Sequence, residues 1–502
     1  MVGAGPAALY CTGKLAEAGH TVLILNRDIK PGGLAEYGIY PTKHQMKEGL
    51  RKQFRRILAD PRVVYFGNVQ VGEAGAVRFG ELLDLKASAL VVAAGAQGTK
   101  SLGIPGDDGP SVYHAKDLVY HYNLLPPFSE QQFPMGERVA VIGIGNVMVD
   151  IAHYLVTVRR VPEVIAVARR GPKERAYDDR EMRAIAWNID KTALKEELER
   201  IRPRLEPLGQ DVDALYTELT KDCHVLPKGE KSPTRLTFRF LSSPKRIIRD
   251  ESGRTVGMEV EGNTLVDRGG KLAAKGLGQA TMLPVDTVVF AIGDRVDSAL
   301  GLPEGGGGYA TSPNPDPQDP EAARYQVFDP QAGKLLDGVF VIGWSRSASE
   351  GVVGKARLDG EKGAAVVNRF VAQRAGLSHR EIYRRIGTIY HHLRKRMVPV
   401  VHKGVWRILE RVEQEKAEGQ GLPEFKFGRN EEMLQVLEFA IDHLASRSGK
   451  VRLSARRDGE PEISVKERKS GIHTDGQLDE RRPSGHGHTL GTSAPQEYFL
   501  KR

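Results

Sequence analysis

The chain opens with an alternation of apolar and small residues that is typical of a strand, a tight turn, a helix and a second strand. Only Met1 and Val2 precede the first glycine, apolar residues then recur at helical spacing over residues 9–18, and an apolar run follows at residues 21–25. Since a parallel strand that feeds such a turn usually has about five residues, we expect the natural chain to begin upstream of Met1.

The same pattern returns in the middle of the chain. Residues 138–142 are predicted as a strand, a glycine turn and a helix through Tyr154 follow, and residues 164–168 are predicted as the next strand. Three further apolar runs end at a glycine and are predicted as buried strands: residues 89–94, which lead into Gly95, residues 287–292, and residues 339–342.

The segments between these runs are less regular. Residues 191–204 carry many charges at helical spacing and are predicted as an exposed helix, and residues 304–320 are rich in glycine and proline and are predicted as a loop. Short antiparallel strands are predicted at residues 234–240, 246–249, 257–260 and 281–283.

The composition changes after about residue 376. Residues 379–418 are basic and helical in pattern, and residues 431–446 predict an amphipathic helix. Beyond about residue 457 the chain is polar with little to bury, which is typical of a disordered tail.

The first glycine turn, residues 3–8, has the spacing of a dinucleotide-binding fingerprint. Gly3 permits the tight turn, Gly5 lets backbone amides approach a pyrophosphate, and Ala8 lets the helix pack closely on the strand. The N-terminus of the helix then faces the anion with free amides and partial positive charge. The alternative is a turn that only joins a strand to a helix.

The second glycine turn, residues 143–148, repeats this spacing but has Met148 at its third small position. Arg169 and Arg170 follow the next strand, where an NAD site places a carboxylate on the ribose 2′-hydroxyl. Two guanidinium groups suit a 2′-phosphate instead, so we expect NADP(H). A solvated basic pair is the alternative.

Asn26 ends the second strand of the first unit, where a carboxylate would normally bind the adenosine ribose of FAD. Its amide can still hydrogen-bond a hydroxyl, so Asn26 is the expected ribose ligand. Asp28, in the loop that follows, is the alternative.

In this order along the chain, the motifs resemble the adrenodoxin reductase-like ferredoxin–NADP reductases, which are flavoproteins with two nested dinucleotide-binding domains. The resemblance spans roughly residues 1–372. The segments that carry it are residues 3–8, 31–39, 67–72, 143–147, 169–172, 181–183, 343–344 and 351–354.

The resemblance implies FAD contacts at Ala7, Leu34, Val69 and Trp344, and an NADP(H) contact at Glu181. With the glycine turns, the expected FAD site comprises Gly3, Gly5, Pro6, Ala7, Asn26, Gly33, Leu34, Val69, Gly95, Trp344, Gly351, Val352 and Val353. The expected NADP(H) site comprises Ile144, Gly145, Asn146, Val147, Arg169, Arg170, Glu181 and Gly351.

No catalytic side chain is assigned, because hydride transfer between cofactors needs no acid–base group. Lys43, His44 and Glu350 are hypotheses for a proton relay. The family's usual histidine in the loop after Pro41 is replaced here by Lys43, with His44 displaced by one, and residues 345–350 also depart from the family pattern. These departures leave the electron acceptor open.

The predicted fold class is therefore α/β, with two nested Rossmann-like dinucleotide-binding domains for FAD and NADPH and a helical or disordered C-terminal extension. The expected boundaries are residues 1–125 and 301–376 for the FAD-binding domain, 126–300 for the NADP-binding domain with an inserted helical excursion, 377–456 for the helical extension, and 457–502 for the disordered tail.

Composition narrows the classes of function. The 502 residues carry a formal net charge of +9 and only two cysteines, Cys11 and Cys223. Two single cysteines exclude a disulfide framework, a CxxC redox pair and a four-thiolate iron–sulfur site, and no metal site is expected. No apolar run approaches the ~20 residues of a membrane span, and no reader module for nucleic acid accompanies the basic segments, so the cytoplasm is the expected compartment.

The leading hypothesis is hydride transfer from NADPH to FAD, followed by single-electron transfer to an acidic, ferredoxin-like iron–sulfur protein. One alternative is an FAD-dependent NADPH reductase whose acceptor is a quinone, a small molecule or a partner enzyme docked on the C-terminal extension. The other is a regulatory module that binds FAD and nucleotide. For residues 379–418, a cap on the FAD domain is the alternative to partner docking.

Overall fold

The computed structural model describes residues 1–226, 230–313, 319–348, 353–448, 452–455 and 461–464, with side chains described through residue 440. Its helices in chain order are α1 (Pro6–Glu17), α2 (Leu34–Tyr37), α3 (His44–Leu58), α4 (Phe79–Asp84), α5 (Ala115–Tyr122), α6 (Asn146–Tyr154), α7 (Asp179–Met182), α8 (Lys191–Leu205), α9 (Val212–Thr220), α10 (Ala322–Tyr325), α11 (Val353–Ala372), α12 (His379–Lys395), α13 (Lys403–Gly419) and α14 (Asn430–Ser448).

The strands in chain order are β1 (Val22–Asn26), β2 (Val63–Gly67), β3 (Leu90–Val92), β4 (Gly98–Thr99), β5 (Val112–His114), β6 (Arg138–Ile142), β7 (Glu163–Val167), β8 (Arg235–Arg239), β9 (Ser242–Arg249), β10 (Thr255–Asp267), β11 (Leu272–Leu283), β12 (Thr287–Phe290), β13 (Asp294–Arg295), β14 (Glu304–Gly305), β15 (Gly308–Tyr309), β16 (Gln326–Asp329), β17 (Lys334–Val341), β18 (Val401–His402), β19 (Arg452–Ala455) and β20 (Pro461–Ser464).

The first sheet is built around the start of the chain. Val2 bridges Leu25 of β1 on one side and Val92 of β3 on the other, both in parallel. The sheet therefore runs β18–β2–β1–Val2–β3–β17–β16, with parallel pairing in its centre and antiparallel pairing at both edges. The strand that was predicted before the first glycine turn therefore lies at the centre of the sheet, where Val2 forms its bridges to both neighbouring strands.

The first sheet is buried on both faces, as parallel sheets require. Ile24 and Val63 face the side that α1, α3, α11 and α13 cover, and Val64 faces the side that α12 covers. The hydrophobic residues of α12 that enter this core are Ile389 and Leu393.

The second sheet is fully parallel, in the order β5–β12–β6–β7–β8. The antiparallel sheet β9–β10–β11 packs on one face, where Ile165 and Val167 meet Met258 and Val260. The expectation that residues 234–240 join the antiparallel strands is wrong, because β8 pairs in parallel with β7. With a mixed sheet that is parallel in its centre and a fully parallel sheet nested in one chain, the predicted α/β fold class is confirmed.

The helix predicted at residues 191–204 is present as α8, but it is not an exposed excursion. Leu194, Leu198, Ile201 and Leu205 are fully buried in the core beside the second sheet. Most of the charges that suggested exposure lie on the outer face of α8, but Glu197 is buried, where it accepts hydrogen bonds from Arg200 and from the N–H of Phe240. The predicted loop at residues 304–320 contains the short hairpin β14–β15, and part of it lies outside the described residues.

The C-terminal extension folds onto the first sheet. β18 pairs with β2 at the edge of that sheet, α12 covers one face, and α13 and α14 cover the other, where Trp406, Leu409 and Met433 are buried. β20 lies within the predicted tail and pairs with β19, and most of that tail lies outside the described residues. Among the described helices, none has both the length and the apolar character that crossing a membrane requires.

Candidate functional site

The first glycine turn forms a cradle at the N-terminus of α1. Gly3 has φ +96°, and a Cβ there would lie 2.5 Å from the carbonyl oxygen of Ala93, so only glycine fits. A Cβ on Gly5 would meet no described atom within 4 Å. Open space therefore lies beside the first turn of α1, where the leading amides have no partner within the helix.

Another pair of glycines, Gly32 and Gly33, forms a turn that is the wall of this cradle. The N–H of Gly32 donates to the carbonyl of Ala4 at 2.8 Å. A Cβ on Gly33 would lie 3.0 Å from Cα of Gly5. Leu34 begins α2 immediately after it, so the expected FAD residues Gly5, Gly33 and Leu34 border one space.

Asn26 lies at the base of the cradle and is held by several hydrogen bonds. The side chain is buried and accepts the N–H of Ala4 at 3.0 Å through Oδ1. Its Nδ2 donates to the carbonyls of Asp28 and Lys30 and to the hydroxyl of Tyr65, at 2.8, 3.1 and 3.1 Å. Nδ2 and Oδ1 of Asn26 both have partners within the protein, so Asn26 braces the cradle. Its expected role as the ribose ligand stays a prediction, since Oδ1 can accept a second hydrogen bond.

A cavity of about 350 Å³ opens beyond the carboxyl ends of β1 and β2. Arg27 and Asp28 line it and form an ion pair at 2.9 Å, which raises the pKa of Arg27. Asn68 and Gln70 also line it. Val69, expected to contact FAD, is buried between them and donates its N–H to the carbonyl of Asn26 at 2.8 Å.

This cavity is where an α/β sheet normally holds the adenosine part of a dinucleotide. Arg27, Asn68 and Gln70 were missed by the sequence reasoning. Asn68 and Gln70 lie in the segment 67–72 that carries the family resemblance, and Arg27 follows Asn26 at the end of a predicted strand. Asp28 was named only as an alternative.

The turn that carries Trp344 lies at the other end of the cradle. A Cβ on Gly343, at φ +62°, would lie 2.7 Å from Cβ of Ala7. The hydroxyl of Ser345 accepts the N–H of Gly95 at 3.0 Å, so the expected residues Ala7, Gly95 and Trp344 are brought together. Trp344 itself is half-buried.

The remaining expected residues of this turn can be placed only in part. Val353 begins α11, while Gly351, Val352 and Glu350 lie outside the described residues. Pro6 is the first residue of α1, a position where the missing N–H of proline costs no hydrogen bond.

The second glycine turn forms a similar cradle at the N-terminus of α6. Gly143 has φ +129°, and a Cβ there would clash with the carbonyl of Ala291, whereas a Cβ on Gly145 would meet no described atom within 4 Å. The side-chain oxygen of Asn146 accepts the N–H of Asp178 at 2.7 Å. Ile144 and Val147 lie on the same turn, and Val147 is exposed.

Met148 stands where the fingerprint normally has a small residue. Its side chain is fully buried among the hydrophobic residues of the second unit.

Arg169 and Arg170 follow β7 at the carboxyl edge of the second sheet. Their carbonyls accept the side-chain amide of Asn263 at 2.8 Å and the N–H of Leu241 at 3.1 Å, so the backbone of the pair is fixed. Within the described residues, neither guanidinium forms an ion pair or a side-chain hydrogen bond. Two cations without a counter-charge are suited to an anion that comes from solution.

The two units meet where α6 and α7 face the loop before α3. Lys43 forms an ion pair with Glu181 at 2.5 Å, and the ring of Tyr40 stacks on His153 at 4.3 Å. Asp150 lies close by, and burial, partly offset by Lys43, raises its pKa to about 6.

This arrangement joins the first unit directly to the helix that begins at the second cradle. Two of the three relay hypotheses therefore lie at the junction of the units, because Lys43 pairs across it and His44 begins α3.

Comparisons with known proteins agree with this geometry. The family described as pyridine nucleotide-disulphide oxidoreductase matches residues 1–192. The chain is 29% identical to the NADPH-ferredoxin reductase FprA of Mycobacterium tuberculosis strain H37Rv, over 87% of this chain and 98% of the relative. It is 26% identical to the mitochondrial NADPH:adrenodoxin oxidoreductase of Bos taurus, over 87% of this chain and 91% of the relative.

A solved structure of Mycobacterium tuberculosis FprA in complex with NADPH superposes with a TM-score of 0.70 at 27% identity, covering 87% of this chain and 98% of that one. The resemblance inferred from the motifs is confirmed. It also extends further than residues 1–372, because 87% of the 502 residues reaches into the C-terminal extension.

Proposed function

Because this chain is similar over most of its length to NADPH-ferredoxin and NADPH:adrenodoxin reductases, we propose that it is an FAD-dependent NADPH oxidoreductase with a ferredoxin-like iron–sulfur protein as its acceptor. The observation that carries the proposal is the pair of open glycine cradles, at Gly5 and Gly145, in two nested sheets. When bound, FAD would accept a hydride from NADPH and release single electrons to the acceptor.

The residues of the first cradle fit FAD. Gly5 and Gly33 leave room for a pyrophosphate at the N-terminus of α1, whose partial positive charge stabilises it. The cavity beside Asp28 and Gln70 suits the adenosine end. Trp344 and Gly95 would border the flavin, with Gly351, Val352 and Val353 as further proposed contacts.

The residues of the second cradle fit NADPH. Ile144, Gly145, Asn146 and Val147 surround the N-terminus of α6, and the unpaired guanidinium groups that follow β7 supply charge for a 2′-phosphate. Glu181 is also a proposed NADPH contact. To bind NADPH, its carboxylate would have to leave the ion pair with Lys43 or share itself between Lys43 and the coenzyme.

The cysteines support electron transfer without a redox disulfide. Cys11 and Cys223 are both buried and unpaired, and they belong to the hydrophobic cores of different units. Burial raises the pKa of Cys11 to about 12, so its reactive thiolate form is disfavoured at neutral pH. A disulfide reductase needs a cysteine pair beside the flavin, and these two cannot supply one.

For the domains, we propose that residues 1–125 and 301–376 hold FAD and residues 126–300 hold NADPH, with β5 and α5 at the junction because β5 pairs in the second sheet. The buried face of α13 supports residues 377–456 as a cap on the FAD unit. A protein partner on this extension and a cytoplasmic location stay predictions.

The acceptor is tested by cytochrome c reduction in the presence of NADPH, with and without an acidic ferredoxin. Because the chain carries a net charge of +9, we expect the ferredoxin-dependent rate to fall several-fold as ionic strength rises from ~0.01 to ~0.3 M, since salt screens steering between opposite charges. Direct reduction of a neutral quinone serves as the control and is expected to be insensitive to salt. If the protein reduces the quinone but reduces none of the ferredoxins tested, the proposed acceptor is contradicted and the alternative reductase is favoured.

A further inference from the structure

A cluster of buried charges lies between the FAD cradle, α3 and the C-terminal extension. Within the described residues it has four cations and three carboxylates, all with side chains less than a fifth exposed. Its members are Lys30, Glu36, Lys47, Arg51, Glu413, Glu424 and Lys426. We call this set the buried ion cluster.

The buried ion cluster is centred on the glycine turn that walls the FAD cradle. Lys30 precedes Gly32 and Gly33, Glu36 follows them, and an ion pair between the two side chains at 2.9 Å closes the turn across its base. Both side chains are about 3% exposed. The carbonyl of Lys30 also accepts the amide of Asn26, which in turn holds the first glycine turn.

The extension completes the pairing of both residues. Glu413 of α13 contacts the ammonium of Lys30 at 2.5 Å. The ammonium of Lys426 donates to the backbone carbonyl of Glu36 at 2.6 Å. Because each end of the turn is tied to the extension, a shift of α13 relative to the first sheet would displace the turn.

Arg51 of α3 links the two halves of the cluster. It donates two hydrogen bonds to the carboxylate of Glu36, both at 2.7 Å, and a third to Glu424 at 2.6 Å. Burial alone would raise the pKa of Glu36, but the positive charges of Arg51, Lys30 and Lys426 hold it below its usual range. Glu36 is therefore ionised and fully paired, and loss of one partner leaves a buried charge without compensation.

We propose that Glu413 and Lys426 are positioning residues for FAD. They act through Lys30 and Glu36, which fix the Gly32–Gly33 turn against Gly5, where backbone must approach the pyrophosphate closely. The inference rests on the proposed function, and it gives residues 403–427 a role in cofactor retention that their sequence alone does not suggest. Purely apolar packing of α13 would stabilise the fold without setting the position of this turn.

The test compares Glu413→Gln and Lys426→Met with Glu415→Gln, a control at an exposed position of the same helix without an ion pair among the described residues. The measurement is the rate at which FAD leaves the purified holoprotein, followed by the recovery of free-flavin fluorescence. We expect both cluster variants to release FAD about ten- to a hundredfold faster than wild type, since small misplacements of a binding group have effects of this size. Glu415→Gln should release it at the wild-type rate.

One further measurement and one fallback variant distinguish loss of FAD positioning from loss of the fold. The affinity for 2′,5′-ADP, a probe of the second cradle, should be unchanged in both cluster variants. If Glu413→Gln does not fold, Lys426→Met carries the test, because it removes a hydrogen bond to the backbone of the turn while Glu36 keeps its ion pairs with Lys30 and Arg51. Release of FAD at the wild-type rate from folded variants would overturn the inference alone, whereas a wild-type protein that binds no FAD would overturn the proposed function.

Discussion

Replacing Arg169 and Arg170 together by alanine is expected to raise the dissociation constant of NADPH by about 100- to 1000-fold and that of NADH by less than about threefold. The physical reason is that each guanidinium supplies charge-assisted hydrogen bonds to a 2′-phosphate, which NADH lacks. Neither side chain is paired within the described residues, so the substitutions leave no buried acid uncompensated. Because NADPH would reduce oxidised FAD, the binding of both coenzymes is measured by calorimetry with protein whose FAD has first been reduced under anaerobic conditions.

Lys173→Ala is the matched control, because Lys173 is an exposed cation three residues beyond the pair and also lacks an ion pair among the described residues. It should change the affinity for either coenzyme by less than about twofold. An equal loss of NADPH and NADH in the double variant would contradict the assignment of a 2′-phosphate site to Arg169 and Arg170.

The second large effect is expected from valine at the two open glycines. Gly5 has φ −75° and Gly145 has φ −113°, both of which valine adopts, and a Cβ at either position meets no described atom within 4 Å. Each variant should therefore fold, with a side chain standing where a pyrophosphate would lie. We expect Gly5→Val to lower FAD affinity about a hundredfold or more, and Gly145→Val to lower NADPH affinity to a similar extent.

Each of these variants controls for the other. Gly145→Val should remain yellow with its full complement of FAD, and Gly5→Val should retain binding of 2′,5′-ADP to the second cradle. The measurements are the flavin content after gel filtration and the binding of 2′,5′-ADP by calorimetry. Wild-type FAD content in Gly5→Val would show that the first turn only joins a strand to a helix, which was the alternative drawn from sequence.

The sequence predicted most accurately the elements that are bounded by strong local signals. The strand at residues 138–142 has the predicted ends, because its apolar run is followed directly by Gly143. The direction of β8 was missed, since apolar alternation predicts a strand but not the orientation of its neighbour. The burial of α8 was missed because its charged outer face dominates the composition of the segment.

The candidate site was predictable where backbone conformation requires a residue type, as at Gly3 and Gly143, whose positive φ values and close neighbours admit only glycine. It was not predictable where side chains distant in sequence decide the outcome. The side-chain amide of Asn26 donates to the hydroxyl of Tyr65 and so braces the cradle, a contact that the sequence does not show. Lys30 pairs with Glu413, which lies nearly four hundred positions away in the sequence. A charged residue in a sequence is normally predicted to be exposed to solvent, so this buried pair gave no signal.

The most direct test of the account is an anaerobic titration of the purified holoprotein with NADPH, followed through the visible absorbance of the flavin. The account predicts a yellow protein that bleaches with about one equivalent of NADPH, while NADH requires a far higher concentration. A protein that takes up no FAD, or a bound flavin whose absorbance NADPH leaves unchanged, would contradict it.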